Sequence, residues 1–184
     1  MELTHHDARQ AKDLVPRFLD LYADVYGVPP YRGDPFFSVD TYAGRLDRAM
    51  GMAGFEIVTA TESGTLVGTG HGVTLPPTTP WWQALRPTLP TDLVTAAEHG
   101  RIFWLRELMV RKPYRDKGIG RRLHDVLCGG RPEDFVTMTV IVDNEPARSA
   151  YLRWGYGIVS QIRHAPESPL YDAMVRPRQV MTPR

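Results

Sequence analysis

The sequence predicts a mixed α/β fold built on one sheet, and three observations carry that prediction. Apolar residues recur at helical spacing in three separated stretches. Strand-like runs rich in Val, Ile, Thr and aromatics lie between and after them. A hairpin signal, Ser63-Gly64, joins two of those runs. Taken along the chain, the order is β-α-α-β-β-β-α-β-α-β-β, an architecture of helices layered on a single sheet.

Each element has its own grounds. Leu14, Phe18, Leu21, Tyr22 and Val25 predict an amphipathic helix over residues 8–26, closed by Gly27 with Pro29 and Pro30 just beyond. The segment YGVPPYRGDPFF reads as a loop, and residues 38–51 as a second helix capped by Ser38 or Asp40. GFEIVTATESGTLVGTGHGVTL reads as the hairpin. PPTTPWWQALRPTLP is Pro-rich and reads as a long loop, followed by a short helix near residues 91–98. RIFWLRELMV is apolar on both faces, as a central strand should be. Ile119, Leu123, Val126 and Leu127 mark a helix over 118–128, DFVTMTVIV a strand, and NEPARSAYLRWG a helix stopped by Gly155. YGIVSQIRH and PLYDAMVRP read as the last two strands.

Composition narrows the function classes. At 184 residues the chain fits one domain, with ample material for a core. Twenty-two basic residues against 21 acidic ones argue against a broad nucleic-acid surface. A lone cysteine, Cys128, forms no intramolecular disulfide and no Cys-rich metal site, and it reads as packing. No apolar run approaches a membrane span and the N-terminus has no signal-peptide pattern, so the expectation is a cytoplasmic protein without membrane contact or bound metal.

The stretch RDKGIG, Arg115 to Gly120, follows the central strand and opens a helix. A helix N-terminus offers unpaired N–H groups and a favourable dipole to an anion, and glycines let a phosphate approach the backbone. An ordinary tight turn is the competing reading of these residues. The Walker pattern is absent, and the turn lies too late in the chain, with too few glycines, for a dinucleotide fingerprint. Upstream, Glu107 alternates with Phe103, Leu105 and Met109 on one strand face. A carboxylate among apolar neighbours is desolvated, which raises its pKa and suits it to general-base work. An ion pair with Arg or a structural hydrogen bond is the alternative.

ELMVRKPYRDKGIGRRL followed by VDNEPARSAYLRWGYGI resembles the GCN5-related N-acetyltransferase (GNAT) family. The first stretch is similar to its R/Q-x-x-G-x-G/A loop. The second is similar to its N-x-x-A-x-x-x-Y-x-x-x-G-[FY] helix, here Asn144, Ala147, Tyr151, Gly155 and Tyr156. The family more often has Gly where this chain has Asp116, whose side chain is therefore expected in solvent. The resemblance implies a single GNAT-like domain over 1–184 with a mostly antiparallel sheet. About residues 1–100 would shape the acceptor site and about 101–184 bind acyl-CoA. It further implies acetyl-CoA as co-substrate, its pyrophosphate on Lys117, Gly118, Ile119, Gly120 and Arg121 with Arg115 adding positive potential. The pantetheine would pair with backbone of Leu108, Met109 and Val110, held also by Asn144 and the Ala147 turn. Tyr151 would protonate the departing thiolate, its competing reading being a core aromatic. The N–H of Val110 or a neighbour would polarise the carbonyl.

The implied acceptor is a primary amine of a small molecule or peptide. Tyr31, Asp34, Phe36, Phe37, Glu56, His71, Trp81 and Trp82 are its candidate contacts. For the aromatics, packing of a long loop or of a homodimer interface stands beside that reading; for His71, a satisfied histidine in the sheet does. Asp143, beside Asn144, reads as a helix cap. Two rival functions keep the same loop: a non-catalytic acyl-CoA-binding regulatory domain, and an acetyltransferase-fold toxin acting on aminoacyl-tRNA. The second would need a basic face that the balanced charge does not suggest.

Overall fold

A computed structural model describes residues 1–164, 166 and 168–178. The strands are β1 (Glu2–His6), β2 (Glu56–Glu62), β3 (Thr65–Thr74), β4 (Ile102–Val110), β5 (Phe135–Ile141), β6 (Gly157–Ile162) and β7 (Tyr171–Pro177). They form one mixed sheet in the order β1-β2-β3-β4-β5-β7-β6. The helices are α1 (Ala8–Lys12), α2 (Val15–Tyr26), α3 (Val39–Met50), α4 (Pro80–Leu85), α5 (Thr91–Glu98), α6 (Ile119–Gly129) and α7 (Glu145–Arg153). The chain divides into two compact units, each of two segments: Met1–Val73 with Leu105–Gly130, and Thr74–Trp104 with Arg131 onward.

In the first unit, β1 and β2 pair antiparallel, as do β2 and β3. Ser63 and Gly64 turn the hairpin with φ of 49° and 79°, the pair of positive values that a two-residue primed turn requires. The helix foreseen over 8–26 is two helices. Pro16 has no N–H to give the carbonyl of Lys12, four residues back, and its ring crowds that carbonyl, so α1 ends at Lys12 and α2 starts afresh. Phe18, Leu21, Tyr22 and Val25 form the buried face of α2. Of the two candidate caps for α3, Ser38 is the one used, its side chain accepting from the N–H of Thr41.

Glycines let β3 lie against the end of β4. A Cβ at Gly68 would stand 2.8 Å from the carbonyl oxygen of Met109, and one at Gly70 would stand 2.9 Å from the Leu108 side chain. The residue after β4, Arg111, ties this end down. Its N–H donates to Val67 and its Nε to Leu66, both at 2.9 Å, and its guanidinium pairs with Asp20 and Asp24 of α2.

In the second unit, β4 and β5 pair in parallel over Ile102–Trp104 and Phe135–Thr137, while β5–β7 and β6–β7 are antiparallel. The Pro-rich segment is not the long loop expected. It holds α4, with Pro80 in the first turn, where a missing N–H costs nothing. Trp81, Trp82 and Leu85 of α4 are buried with Leu75, Leu93 and Ile102 in a hydrophobic core. The expected helix near 91–98 is α5.

Candidate functional site

The chemistry of the first unit converges on Glu107. Burial pushes its carboxyl above the ordinary glutamate value; the Tyr26 hydroxyl, Arg45, the Leu108 N–H and Arg106 pull the other way without cancelling it. Tyr26, the last residue of α2, donates its O–H to Glu107 Oε1 at 2.7 Å. Tyr26 is itself half-buried, and desolvation together with the neighbouring carboxylate holds its phenol well above 10, so it remains a donor. The desolvation foreseen at Glu107 is thus present, together with a hydrogen bond to a residue that the spacing did not single out. A tyrosine pair four apart on α2 was the available signal: Tyr22 and Tyr26 stack at 4.4 Å.

The loop after α2 packs its aromatics on Tyr26. Tyr31 meets it edge-on at 5.0 Å and Phe37 stacks at 5.5 Å. Phe36 contacts Phe37 and lies under the Arg45 guanidinium at 4.7 Å, while Arg45 donates to the Phe36 carbonyl and the Tyr22 hydroxyl. Asp34 is committed to the local turn, its Oδ1 accepting from the Phe36 N–H at 2.8 Å. Glu56 lies 3.8 Å from His5.

His71 on β3 is 3% exposed, and its ring lies 6.2 Å from that of Tyr42 and 6.0 Å from Phe55. Burial, with Arg106 and Arg45 nearby, pulls its pKa down to about 3. It is therefore neutral near physiological pH and too weak a base for proton abstraction there. Its Nδ1 has no hydrogen-bond partner in the structure, and neither has the Tyr42 hydroxyl.

Beyond β4, a single turn over Lys112–Tyr114 leads to the glycine stretch. Arg115 Nε donates to the Val110 carbonyl at 3.0 Å, and Lys117 Nζ lies 5.3 Å from the Tyr114 ring centre. Asp116 is exposed, as expected, with φ of 60°. Gly118 is the N-cap of α6 at φ 74°, and no side chain caps this helix. A Cβ there would meet nothing within 4 Å. The first N–H groups of α6 thus receive no side-chain cap and follow a left-handed glycine with open space beside its Cα, features that suit an anion. Ile119 is buried beneath them, and Arg121 is paired with Asp125 at 2.6 Å. Cys128 is buried in α6.

In the second unit, α7 carries Asn144, Ala147 and Tyr151. Asn144, not Asp143, is the N-cap: its Oδ1 accepts from the Ala147 N–H at 3.4 Å. Tyr151 is buried, edge-on to Trp154 at 5.2 Å and to Tyr156 at 5.8 Å. Arg148 pairs with fully buried Asp172 of β7, which also accepts from Gln161 of β6, and this anchors the helix on its strands. Trp81 and Trp82 are 8% and 1% exposed; of the two readings open for them, the structure takes packing, because α4 turns both indoles into the core. Among the described residues no cluster of His, Cys, Asp or Glu is arranged to hold a metal, and no helix is long and apolar enough to cross a membrane.

Comparison with known proteins bears on the fold and the family. No curated protein matches the sequence. Among solved structures, an aminoglycoside 6'-acetyltransferase type Ii superposes with a TM-score of 0.64 at 20% identity, covering 100% of this chain and 99% of its own. The ribosomal-protein-S18-alanine N-acetyltransferase from Escherichia coli gives 0.62 at 14% identity, covering 98% and 97%. The yncA protein from Salmonella typhimurium, solved with its cofactor acetyl-CoA, gives 0.60 at 10% identity, covering 100% and 97%. At these identities the likeness concerns the fold alone. The family model of the GNAT acetyltransferases matches residues 16–156, most of the chain, and the protein therefore belongs to the GNAT acetyltransferase family.

Proposed function

We propose that this protein is an acetyl-CoA-dependent N-acetyltransferase acting on a primary amine of a small molecule or peptide, by direct attack within a ternary complex. The observation that carries the reading is the half-buried, hydrogen-bonded Glu107 on the strand that leads into the uncapped, glycine-opened helix α6. Acetyl-CoA supplies the activated acetyl group. Its pyrophosphate is assigned to the α6 N-terminus, with Arg115 and Lys117 adding positive potential, and its pantetheine to the backbone of Leu108–Val110.

In this mechanism Glu107, its proton affinity raised by burial, accepts the proton of the acceptor amine directly or through water. The Val110 N–H or a neighbour stabilises charge developing on the carbonyl oxygen. Tyr151 returns a proton to the departing thiolate. Tyr31 and Phe37, packed on Tyr26, and Phe36, edge-on to Phe37, line the acceptor side and favour an amine with an apolar or planar portion. A thiol-release assay with acetyl-CoA against a panel of antibiotics, amino-acid derivatives, polyamines and peptides tests the proposal. Turnover with at least one amine class supports it. Tight CoA binding without turnover on any acceptor would favour the regulatory-domain alternative.

A further inference from the structure

The contact between Tyr26 and Glu107 reaches beyond packing. We propose that Tyr26 is a positioning residue for acetyl transfer, its hydroxyl holding the Glu107 carboxylate in one orientation and in its charged form. This rests on the reading of Glu107 as the base. Three observations support it. The 2.7 Å O–H···O contact is a well-formed hydrogen bond. The Tyr26 ring is gripped on several sides, by Tyr22 at 4.4 Å, Tyr31 at 5.0 Å and Phe37 at 5.5 Å, so the hydroxyl has little freedom to turn away. The chain then turns at Gly27, whose N–H donates to the Ala23 carbonyl at 2.8 Å and closes α2, and where a Cβ would stand 2.4 Å from that oxygen.

The surroundings make the hydroxyl's effect separable. The other ionisable groups acting on Glu107 are Tyr31 in the loop after α2, Tyr42 and Arg45 on α3 and Arg106 on β4, and next to these lie Tyr22 on α2 and His71 on β3. Burial lifts Tyr31 and Tyr42 above 10, and His71 titrates at about 3, so none of these changes charge near neutrality. Arg106, lowered by burial to about 10, is still a cation there. A shift in the Glu107 titration on loss of the Tyr26 hydroxyl therefore reports that hydroxyl. The same ring also touches the aromatic loop assigned to the acceptor, so the base and the acceptor wall share one support.

The test is a carbon-13 titration of glutamate side-chain carboxyls in the full chain, with Glu107→Gln assigning the resonance. Tyr26→Phe keeps the ring and its stacking and should raise the Glu107 midpoint by about one pH unit, the equivalent of a roughly tenfold change. Difluorotyrosine placed at position 26 is a more acidic donor of nearly the same shape and should lower the midpoint. An unmoved midpoint in both proteins overturns the assignment of Tyr26. The acidic limb of kcat/KM with an accepted amine should follow the midpoint. A midpoint that moves while this limb stays put would overturn Glu107 as base, and with it the use of Tyr26 in catalysis.

Discussion

Gly118→Ala, paired with Gly64→Ala, separates the anion cradle from simple backbone strain. The two glycines have nearly the same conformation, φ 74° and 79°, and at both an added Cβ meets nothing within 4 Å. Each substitution therefore brings the same penalty, about 1–2 kcal/mol for an L residue in the left-handed region, without a clash. For a chain of this length that corresponds to a melting temperature lower by roughly 2–8 °C. The positions differ in what they border. Gly64 turns a hairpin, whereas Gly118 opens α6 beside its uncapped N–H groups. Only the methyl at position 118 would occupy the space assigned to the pyrophosphate. Calorimetric titration with CoA should show affinity unchanged in Gly64→Ala and weakened at least about tenfold, about 1.4 kcal/mol, in Gly118→Ala. Equal CoA affinity in the wild type and both variants would refute the cradle, and equal weakening in both would trace the loss to stability.

Other expectations follow from burial. Folding favours the protonated form of Glu107, so its cost to stability sets in as pH rises from the ordinary value of 4.5 through the folded pKa. Glu107→Gln should thus unfold at a higher temperature than the wild type above neutrality, with the gap closing below 4.5, while losing most acetyl transfer and keeping CoA binding. For His71 the folded pKa is depressed from 6.5 to about 3, so the unfolded chain binds the extra proton between those values. Stability should fall with acidification across that window by up to about 1.4 kcal/mol per pH unit, and denaturant melts of His71→Phe should show a shallower fall. Trp82→Ala, at a core position 1% exposed, should cost about 3–5 kcal/mol in denaturant unfolding; a loss below about 1 kcal/mol would return the indole to the surface.

Much of the architecture was legible because it rests on local periodicity. The stripe of Phe18, Leu21, Tyr22 and Val25, the Ser63-Gly64 hairpin and the Ser38 cap all record contacts made within a few residues. The break before α2 was written in Pro16, but apolar spacing continued across it and masked it. The helix α4 was hidden by its prolines, because a proline that starts a helix and one that forbids it look alike until the core shows what the tryptophans bury.

The residues alone determined the family, through motifs whose spacing is set by one strand, one turn and the start of a helix. They also determined the desolvated carboxylate, since alternation along a central strand needs no knowledge of its neighbours. Folding supplied the partner of that carboxylate, 81 residues away in the chain. It also sent Trp81 and Trp82 inward and left His71 neutral among aromatic rings and arginines. Hydrogen-bond partners and proton affinities depend on which groups meet across the fold, and sequence separation carries little of that information.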